Sequence, residues 1–313
     1  MKIVKPSNVL PALLVCFIGL SVLSCNKEEQ RETPTQGSLT MISSEDVYPI
    51  IDLQVKDFIR IYEQTKIIHL SSSTRDAIVQ LLNDSVKLIV SPRDFNEEEK
   101  RVITQNELDV TTTKLAYDGV AVIVNSQNSV RRITVEDLKN ILTGKIERWP
   151  QVEGSTLMSA IIVAMGEPNS GVYEYVKTRI AGGEQFAPIV LPCKTTTEVF
   201  SAVKERPNTI GFAAVAWLSK APPDATVLEI GDPNFKQDTT SAVMEYFGPH
   251  QAHIYRNYYP LSRTIYIFTH KTGRGVALGF SSFAAGVDGQ KIIVKNGLVP
   301  ATMPVRLVQL NSQ

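Results

Sequence analysis

Short apolar runs alternate with segments of helical periodicity from residue 39 onward. Runs at 39–42, 67–70 and 86–90 are rich in aliphatic and β-branched residues, which is typical of β-strands. Between them, apolar residues recur every three or four positions, as on one face of a helix: Val47, Ile50, Ile51, Val55 and Phe58, then Ala77, Ile78, Leu81 and Leu82. This alternation predicts an α/β protein with a mostly parallel sheet.

The same alternation continues through the second half of the chain. It predicts strands at 121–124, 160–164, 189–191, 210–214 and 266–269, and helices at 134–142, 172–180, 199–204 and 276–285. Because the roughly 290 residues that follow the N-terminal leader exceed one ordinary hydrophobic core, we expect two lobes.

The N-terminus has the pattern of a bacterial lipoprotein leader. Lys2 and Lys5 precede an apolar run at 9–23 that is shorter than the about 20 residues of a membrane-spanning helix. Ser24 stands directly before Cys25, so we expect residues 1–24 to be a signal peptide. We expect Cys25 to be lipidated, with palmitate among the attached lipids. A plain signal peptide or an uncleaved anchor is the alternative. The polar segment 25–37 then predicts a flexible tether.

Charge and cysteine content exclude several classes of function. The chain has 32 basic and 32 acidic residues, so it lacks the surplus of cations that nucleic-acid binding needs. Three cysteines, Cys16, Cys25 and Cys193, are too few for a disulfide framework or a four-ligand zinc cage. The sequence also has no Gly-x-Ser-x-Gly nucleophile elbow. We therefore predict no metal, no cofactor and no enzymatic activity.

Three predicted strand-to-helix turns carry hydroxyl and amide groups. They contain Ser43 and Ser44, then Ser72 and Ser73, and finally the Asn169-Ser170-Gly171 segment. Hydroxyls and free backbone N–H groups at the positive end of a helix can hold an anion. The alternative is that these serines are ordinary helix caps, since Ser43 with Asp46 and Ser73 with Asp76 have capping-box spacing.

Five sequence motifs together resemble the periplasmic phosphate-binding proteins of ABC transporters. They are GKIERW at 144–149, NSG at 169–171, IGF at 210–212, YPLSR at 259–263, and GQK at 289–291 with GLVP at 297–300. The resemblance covers the chain from about residue 37 to its end. It implies a two-lobed, type II periplasmic-binding-protein-like α/β fold, in which each lobe is a mostly parallel sheet flanked by helices. Lobe 1 would comprise 38–118 and 263–313, lobe 2 would comprise 119–262, and two strands would cross between them.

The resemblance also implies a set of phosphate contacts. They fall on Ser43, Ser44, Ser72, Ser73, Ser91, Arg93, Asn169, Ser170 and Gly171. Arg75 and Arg93 are candidates for a charge-assisted clamp on an oxyanion, and the alternative for each is a solvated or ion-paired arginine.

Several positions depart from the family pattern. Hydroxyl or small residues usually stand at Glu45 and Asp46, an arginine and an aspartate at Gly166 and Pro168, and a threonine at Val172. Outward-pointing carboxylates would be favourable first-turn residues. Inward-pointing carboxylates would take the place of the anion and exclude phosphate.

The resemblance implies a monomeric solute-binding protein that captures phosphate or a similar oxyanion for an ABC permease. The lipid on Cys25 would hold it at the membrane, facing the periplasm or the exterior. The alternative is a module with the same fold and an altered pocket, which acts in sensing, in binding a different ligand or in a surface contact with another protein.

Overall fold

The structure is a computed structural model of the whole chain, and it describes residues 1–2, 32–234, 244–270 and 274–303. Almost all of the predicted signal peptide, together with Cys25, lies outside the described residues. The same holds for the first part of the tether, up to residue 31, and for the C-terminal residues 304–313. Residues from Glu32 onward form one compact unit.

Strands and helices alternate in the first third of the chain, and strands dominate its centre. The strands are β1 (Gly37–Ser44), β2 (Thr65–Ser72), β3 (Leu88–Ser91), β4 (Val110–Asn125), β5 (Arg132–Thr134), β6 (Ile162–Gly166), β7 (Val190–Cys193), β8 (Thr209–Ala214), β9 (Ala225–Val227), β10 (Glu229–Gly231), β11 (Tyr246–Phe247), β12 (Ser262–His270) and β13 (Val299–Pro300). The helices are α1 (Tyr48–Ile61), α2 (Thr74–Leu82), α3 (Glu97–Gln105), α4 (Val135–Leu142), α5 (Gly171–Tyr175), α6 (Thr196–Glu205), α7 (Gln251–Tyr255), α8 (Val276–Ala285) and α9 (Val287–Lys295). No helix within these described ranges is both long and apolar enough to cross a bilayer.

One long strand is shared by two sheets, and this divides the molecule into two lobes. In lobe 1 the strand order is β2-β1-β3-β12-β4, with β1, β2 and β3 parallel. In lobe 2 the order is β4-β8-β6-β7, with β6, β7 and β8 parallel. The first part of β4 pairs antiparallel with β12, and its last part pairs antiparallel with β8. The predicted α/β class with mostly parallel pairing is therefore observed in both lobes.

The strands β4 and β12 form the connection between the lobes. They pair from Ser262 opposite Gly119 to His270 opposite Val110. The Tyr259 hydroxyl donates a 2.7 Å hydrogen bond to the Val120 carbonyl, and a Cβ added at Gly119 would lie 3.1 Å from the Tyr259 ring. A side chain at Gly119 would therefore require the Tyr259 ring to shift by a few tenths of an ångström. The lobe boundaries near 118 and 263 stay a prediction.

Each lobe has its own hydrophobic core. In lobe 1, Phe58 of α1 packs edge-on against Phe280 and Phe283 of α8, with ring centroids 5.7 and 5.4 Å apart. In lobe 2, Trp149 is fully buried, and its indole N–H donates to the Asn208 carbonyl at 2.9 Å. Both cores consist of side chains from helices laid on a sheet, as the periodicity predicts.

The predicted helix at 172–180 is wrong as a continuous α-helix. Regular α-helix ends at Tyr175, and Val176–Ile180 forms a π-helical turn. The Thr178 hydroxyl donates to the Glu174 carbonyl at 2.7 Å. This carbonyl of the preceding turn therefore has a side-chain hydrogen bond as well. The three-stranded sheet of β5, β10 and β11 was not predicted, because its strands have only two or three residues.

Replacing Phe58 by alanine tests the lobe 1 core. We expect the free energy of unfolding to fall by about 3–5 kcal/mol, because a fully buried ring is lost from a well-packed cluster. The matched control is Leu53→Ala on the exposed face of the same helix, which should change stability by about 0.5 kcal/mol or less. Urea denaturation of both variants measures this, and equal losses would contradict the assigned core.

Candidate functional site

A small pocket lies where loops of the two lobes meet. It has a volume of about 300 Å³, and its lining includes Ser72 and Ser73 from lobe 1 and Ser170 from lobe 2. The backbone N–H of Arg75 donates to the Asn169 carbonyl at 3.2 Å, which joins the second lobe 1 loop directly to the lobe 2 loop. The structure therefore brings together the serine-rich turns after β2 and β6.

These serines also cap the helices that follow them. Ser73 accepts a 3.2 Å hydrogen bond from the Asp76 N–H at the start of α2. Ser170 accepts one of 3.2 Å from the Tyr173 N–H at the start of α5. The capping alternative is thus confirmed for both residues. Their hydroxyls still line the pocket, so capping does not remove them from it.

The first loop places its serines elsewhere. The Ser43 hydroxyl bonds to the His69 imidazole at 2.7 Å, and the Ser44 hydroxyl bonds to Thr74 Oγ1 at 2.6 Å. Both serines are buried inside lobe 1 and are absent from the described pocket lining. The capping box predicted between Ser43 and Asp46 is wrong, because neither serine side chain caps the 3-10 turn Glu45–Val47 that follows β1.

Ser91 and the two candidate arginines also lie outside this pocket. The Ser91 hydroxyl donates to the Arg93 carbonyl at 2.8 Å. The Arg93 guanidinium pairs with Glu99 in lobe 1 at 2.8 Å and with Glu174 in lobe 2, so it joins the lobes as an ion-paired side chain. The Arg75 side chain is exposed at the start of α2, as expected for a solvated helix-start residue.

Asp46 points inward and occupies the centre of the interface between the lobes. Its carboxylate is buried, accepts hydrogen bonds from the backbone N–H groups of Gly171 and Val172, and accepts a 3.1 Å bond from Arg263. A Cβ at Gly171 would collide with the Asp46 carboxylate and lie 2.7 Å from Thr74 Oγ1. A glycine is therefore required where the lobe 2 loop meets the acid.

Arg263 connects Asp46 to a second buried acid. Its Nε and Nη2 donate to Asp118 Oδ2 at 3.1 and 2.9 Å, and the two residues stand opposite each other in the β4–β12 pairing. Arg263 and both acids are at most 3% exposed in their side chains. Burial away from water raises the pKa of Asp46 and of Asp118, and the Arg263 guanidinium that they share acts in the opposite direction.

Glu45 also points inward, and it reaches lobe 2. Its two carboxylate oxygens accept from the Thr196 backbone N–H at 3.0 Å and the Thr196 hydroxyl at 2.9 Å, at the start of α6. Its carbonyl accepts from the Trp217 indole N–H at 2.9 Å. Burial raises the pKa of Glu45 to about 7. Adjacent acids of lobe 1 therefore bind two different helix starts of lobe 2.

The charges that line the 300 Å³ pocket, counted over the described residues, are mostly negative and repel an anion. Its lining contains four carboxylates, those of Glu45, Asp46, Asp76 and Glu167, and one cation, that of Lys194. A phosphate within about 4–6 Å of one carboxylate would be repelled by about 3–4 kcal/mol at an effective dielectric constant of 20. An anion can enter only when the Asp46 carboxylate leaves the amides or takes up a proton.

The sequence motifs contained Arg263 but assigned it no role, and Asp118 and Thr196 were missed. A signal for the ion pair was present, because Asp118 directly precedes the apolar run 119–124 of β4 and Arg263 precedes the mostly apolar run 265–268 of β12. Charges at such positions are rarely buried unless they are paired. Thr196 gave no comparable signal.

Glu45→Gln tests the inward orientation through the pH dependence of stability. In the folded wild type, Glu45 keeps its proton up to a pH of about 7. In the unfolded chain, Glu45 loses the proton above its ordinary pKa of 4.5. The stabilisation that comes from this proton is complete below pH 4.5, and it is lost as the pH rises through about 7. Relative to wild type, Glu45→Gln should therefore gain up to about 3 kcal/mol between pH 5 and pH 8.

The quantity to compare is the difference in unfolding free energy between wild type and Glu45→Gln at each pH. The absolute values are less useful, because buried His69 changes the stability with pH in the opposite direction. Its pKa is lowered to about 4, so its contribution increases with pH, and it is present in both proteins. Urea denaturation at several pH values gives the difference, with exposed Glu205→Gln as the control. A wild-type to Glu45→Gln difference that stays constant with pH would refute an inward, desolvated Glu45.

Comparisons with known proteins agree with this architecture. The family model described as a PBP superfamily domain matches residues 28–287. The "Phosphate-binding protein PstS" of Borreliella burgdorferi is 23% identical over 296 residues, covering 92% of this chain and 97% of its own. The protein of the same name from Bacillus subtilis is 23% identical over 310 residues, covering 95% of each chain.

Solved structures resemble the two-lobed fold. The crystal structure of an ABC-type phosphate transport receptor from Vibrio cholerae superposes with a TM-score of 0.65 at 22% identity, covering 84% of this chain and all of that one. At this identity the likeness concerns the fold, and it confirms the predicted two-lobed α/β class. Since the family model spans most of the chain, the protein belongs to the PBP superfamily.

Proposed function

We propose that this chain is an extracytoplasmic solute-binding protein that captures phosphate or a similar oxyanion between its two lobes for an ABC transporter. The relatives named phosphate-binding proteins match it over nearly their whole length, which supports this assignment. The observation that carries the proposal is the convergence of Ser72, Ser73 and Ser170 from opposite lobes on one pocket. A ligand that contacts both lobes favours the closed form over the open one.

The proposal extends to the location and partners of the protein. Cys25 would carry the lipid that holds the chain at the membrane, and the polar segment after it would act as a tether. The protein would work as a monomer and present its closed form to the permease subunits of the transporter. No catalytic step is part of this function.

Asp46 sets the condition under which an oxyanion can bind. Its carboxylate already accepts the Gly171 and Val172 amide hydrogens, which are donors of the kind that an oxyanion would use. Ligand and carboxylate compete for the same donors. Phosphate capture therefore requires the lobes to open and the Asp46 side chain to leave the interface.

The same observation favours a second candidate function. A chain whose own carboxylate holds the lobes together can use the fold with an altered pocket, for sensing, for another ligand or for a surface contact with another protein. Gly166 and Pro168, which replace an arginine and an aspartate of the phosphate-binding pattern, point in the same direction. The two candidates differ in whether phosphate stabilises the wild-type chain.

A thermal-shift titration with phosphate, sulfate and neutral sugars separates them. With the chain expressed without residues 1–25, phosphate at a hundredfold excess over its Kd should stabilise the fold by about 2.7 kcal/mol. Asp46→Ser should bind phosphate at least about tenfold more tightly, because it removes the competing charge and leaves Arg263 paired with Asp118. Asp57→Ser, which removes a surface charge on α1, is the matched control.

The outcomes assign the function. Phosphate stabilisation of wild type that increases in Asp46→Ser supports oxyanion capture. Stabilisation in Asp46→Ser alone supports the altered pocket and identifies the residue that alters it. No response to phosphate or to sulfate in either protein would refute the oxyanion assignment.

A further inference from the structure

A second and larger cavity adjoins Arg263 and the lobe 2 loop that meets Asp46. Its volume is about 720 Å³, and Gly171 and Arg263 form part of its wall. The remaining walls come from the loop between β3 and α3, from α5 with the π-helical turn after it, and from β12. Both lobes therefore contribute to it, as they do to the smaller serine-lined pocket.

The cavity has aromatic walls. Tyr173, Tyr175 and Tyr266 line it, together with Thr264 of β12. Tyr266 is held by stacking on Phe268 at 5.8 Å, and Tyr173 packs edge-on against Phe186 at 5.0 Å. Fixed rings offer flat apolar surface with little entropy to lose when a ligand binds.

Of the three arginines that line the cavity, one is available for a ligand. Arg93 is paired with Glu99 and Glu174, and Arg263 with Asp46 and Asp118. Lys177 donates to the Glu184 carbonyl at 2.6 Å. Arg179 is exposed, and among the described residues it has no carboxylate partner within 4 Å.

Arg179 is nevertheless positioned. Its guanidinium lies beside the Tyr175 hydroxyl, which donates to the Ser262 carbonyl at 3.0 Å. Burial raises the pKa of Tyr175 to about 12, so the phenol remains protonated in neutral solution. An arginine fixed beside aromatic rings matches a planar carboxylate joined to a ring.

Size separates this cavity from an inorganic anion site. Its volume falls in the range of about 300–1,000 Å³ that is typical of pockets for organic ligands. A phosphate ion would leave most of it to solvent. We propose that this cavity binds an aromatic carboxylate, with the ring between Tyr173 and Tyr266 and the carboxylate on Arg179. This site goes beyond oxyanion capture, because it uses none of the serines of the smaller pocket.

Indole-3-acetate is the probe for the proposed site, with indole-3-ethanol and acetate as matched comparators. Calorimetric titration of the chain expressed without residues 1–25 should give a Kd of about 1 mM or tighter for indole-3-acetate. Indole-3-ethanol, which has the ring but no carboxylate, should bind at least about tenfold more weakly. Acetate, which has the carboxylate but no ring, should show no saturable binding.

The variant Arg179→Gln should weaken indole-3-acetate binding about tenfold or more, and its melting temperature should stay close to wild type, because the side chain is exposed. Arg101→Gln on α3 removes an exposed arginine that does not line the cavity and should bind as wild type does. Equal affinity of Arg179→Gln and wild type, or no binding of indole-3-acetate, overturns the proposal. Phosphate binding is measured separately, so failure of either site is distinguishable from failure of the other.

Discussion

The buried ion pair of Arg263 with Asp46 and Asp118 is the interaction on which the arrangement of the two lobes depends. Arg263 begins β12, Asp118 lies in β4, and Asp46 follows β1, so the guanidinium joins both crossing strands to the first loop. Charges buried this deeply are tolerated only when they are paired and hydrogen-bonded. Removing Arg263 would leave two buried carboxylates without a cation. The position therefore fixes how the first loop, the crossing strands and the lobe 2 amides lie together.

The same network is joined by further contacts that hold the two lobes against each other. Solute-binding proteins of this architecture close when a ligand makes contacts in both lobes at once. Here Asp46 supplies the contact with the Gly171 and Val172 amides, Glu45 supplies a second with Thr196, and Arg93 with Glu174 supplies a third. The protein's own side chains thus supply contacts in both lobes, which is the kind of contact by which a ligand favours a closed form. A solute must offer more binding energy than these contacts before it can replace them.

Local features of the fold were predictable from sequence, because they depend on neighbours along the chain. The helix predicted at 276–285 coincides with α8, and Ser73 caps a helix as its spacing from Asp76 indicates. The direction of Asp46 was left open, because an acid after a strand is compatible with either a solvated first turn or a buried contact. Its partner Arg263 is 217 residues away, and periodicity carries no information about such a distance. The folded arrangement of the lobes decides that orientation.

The measurement that tests this account most directly is the distance between the lobes in the ligand-free protein. Spin labels at the exposed positions Lys56 in lobe 1 and Ser201 in lobe 2 report this distance by pulsed electron paramagnetic resonance. The buried Cys193 is replaced by alanine so that it is not labelled. If Asp46 holds the lobes together, the otherwise unmodified sequence should give one narrow distance distribution that phosphate leaves unchanged. With Asp46→Ser the distribution should broaden or shift when no ligand is present. A broad ligand-free distribution that is the same with and without Asp46 would contradict the account.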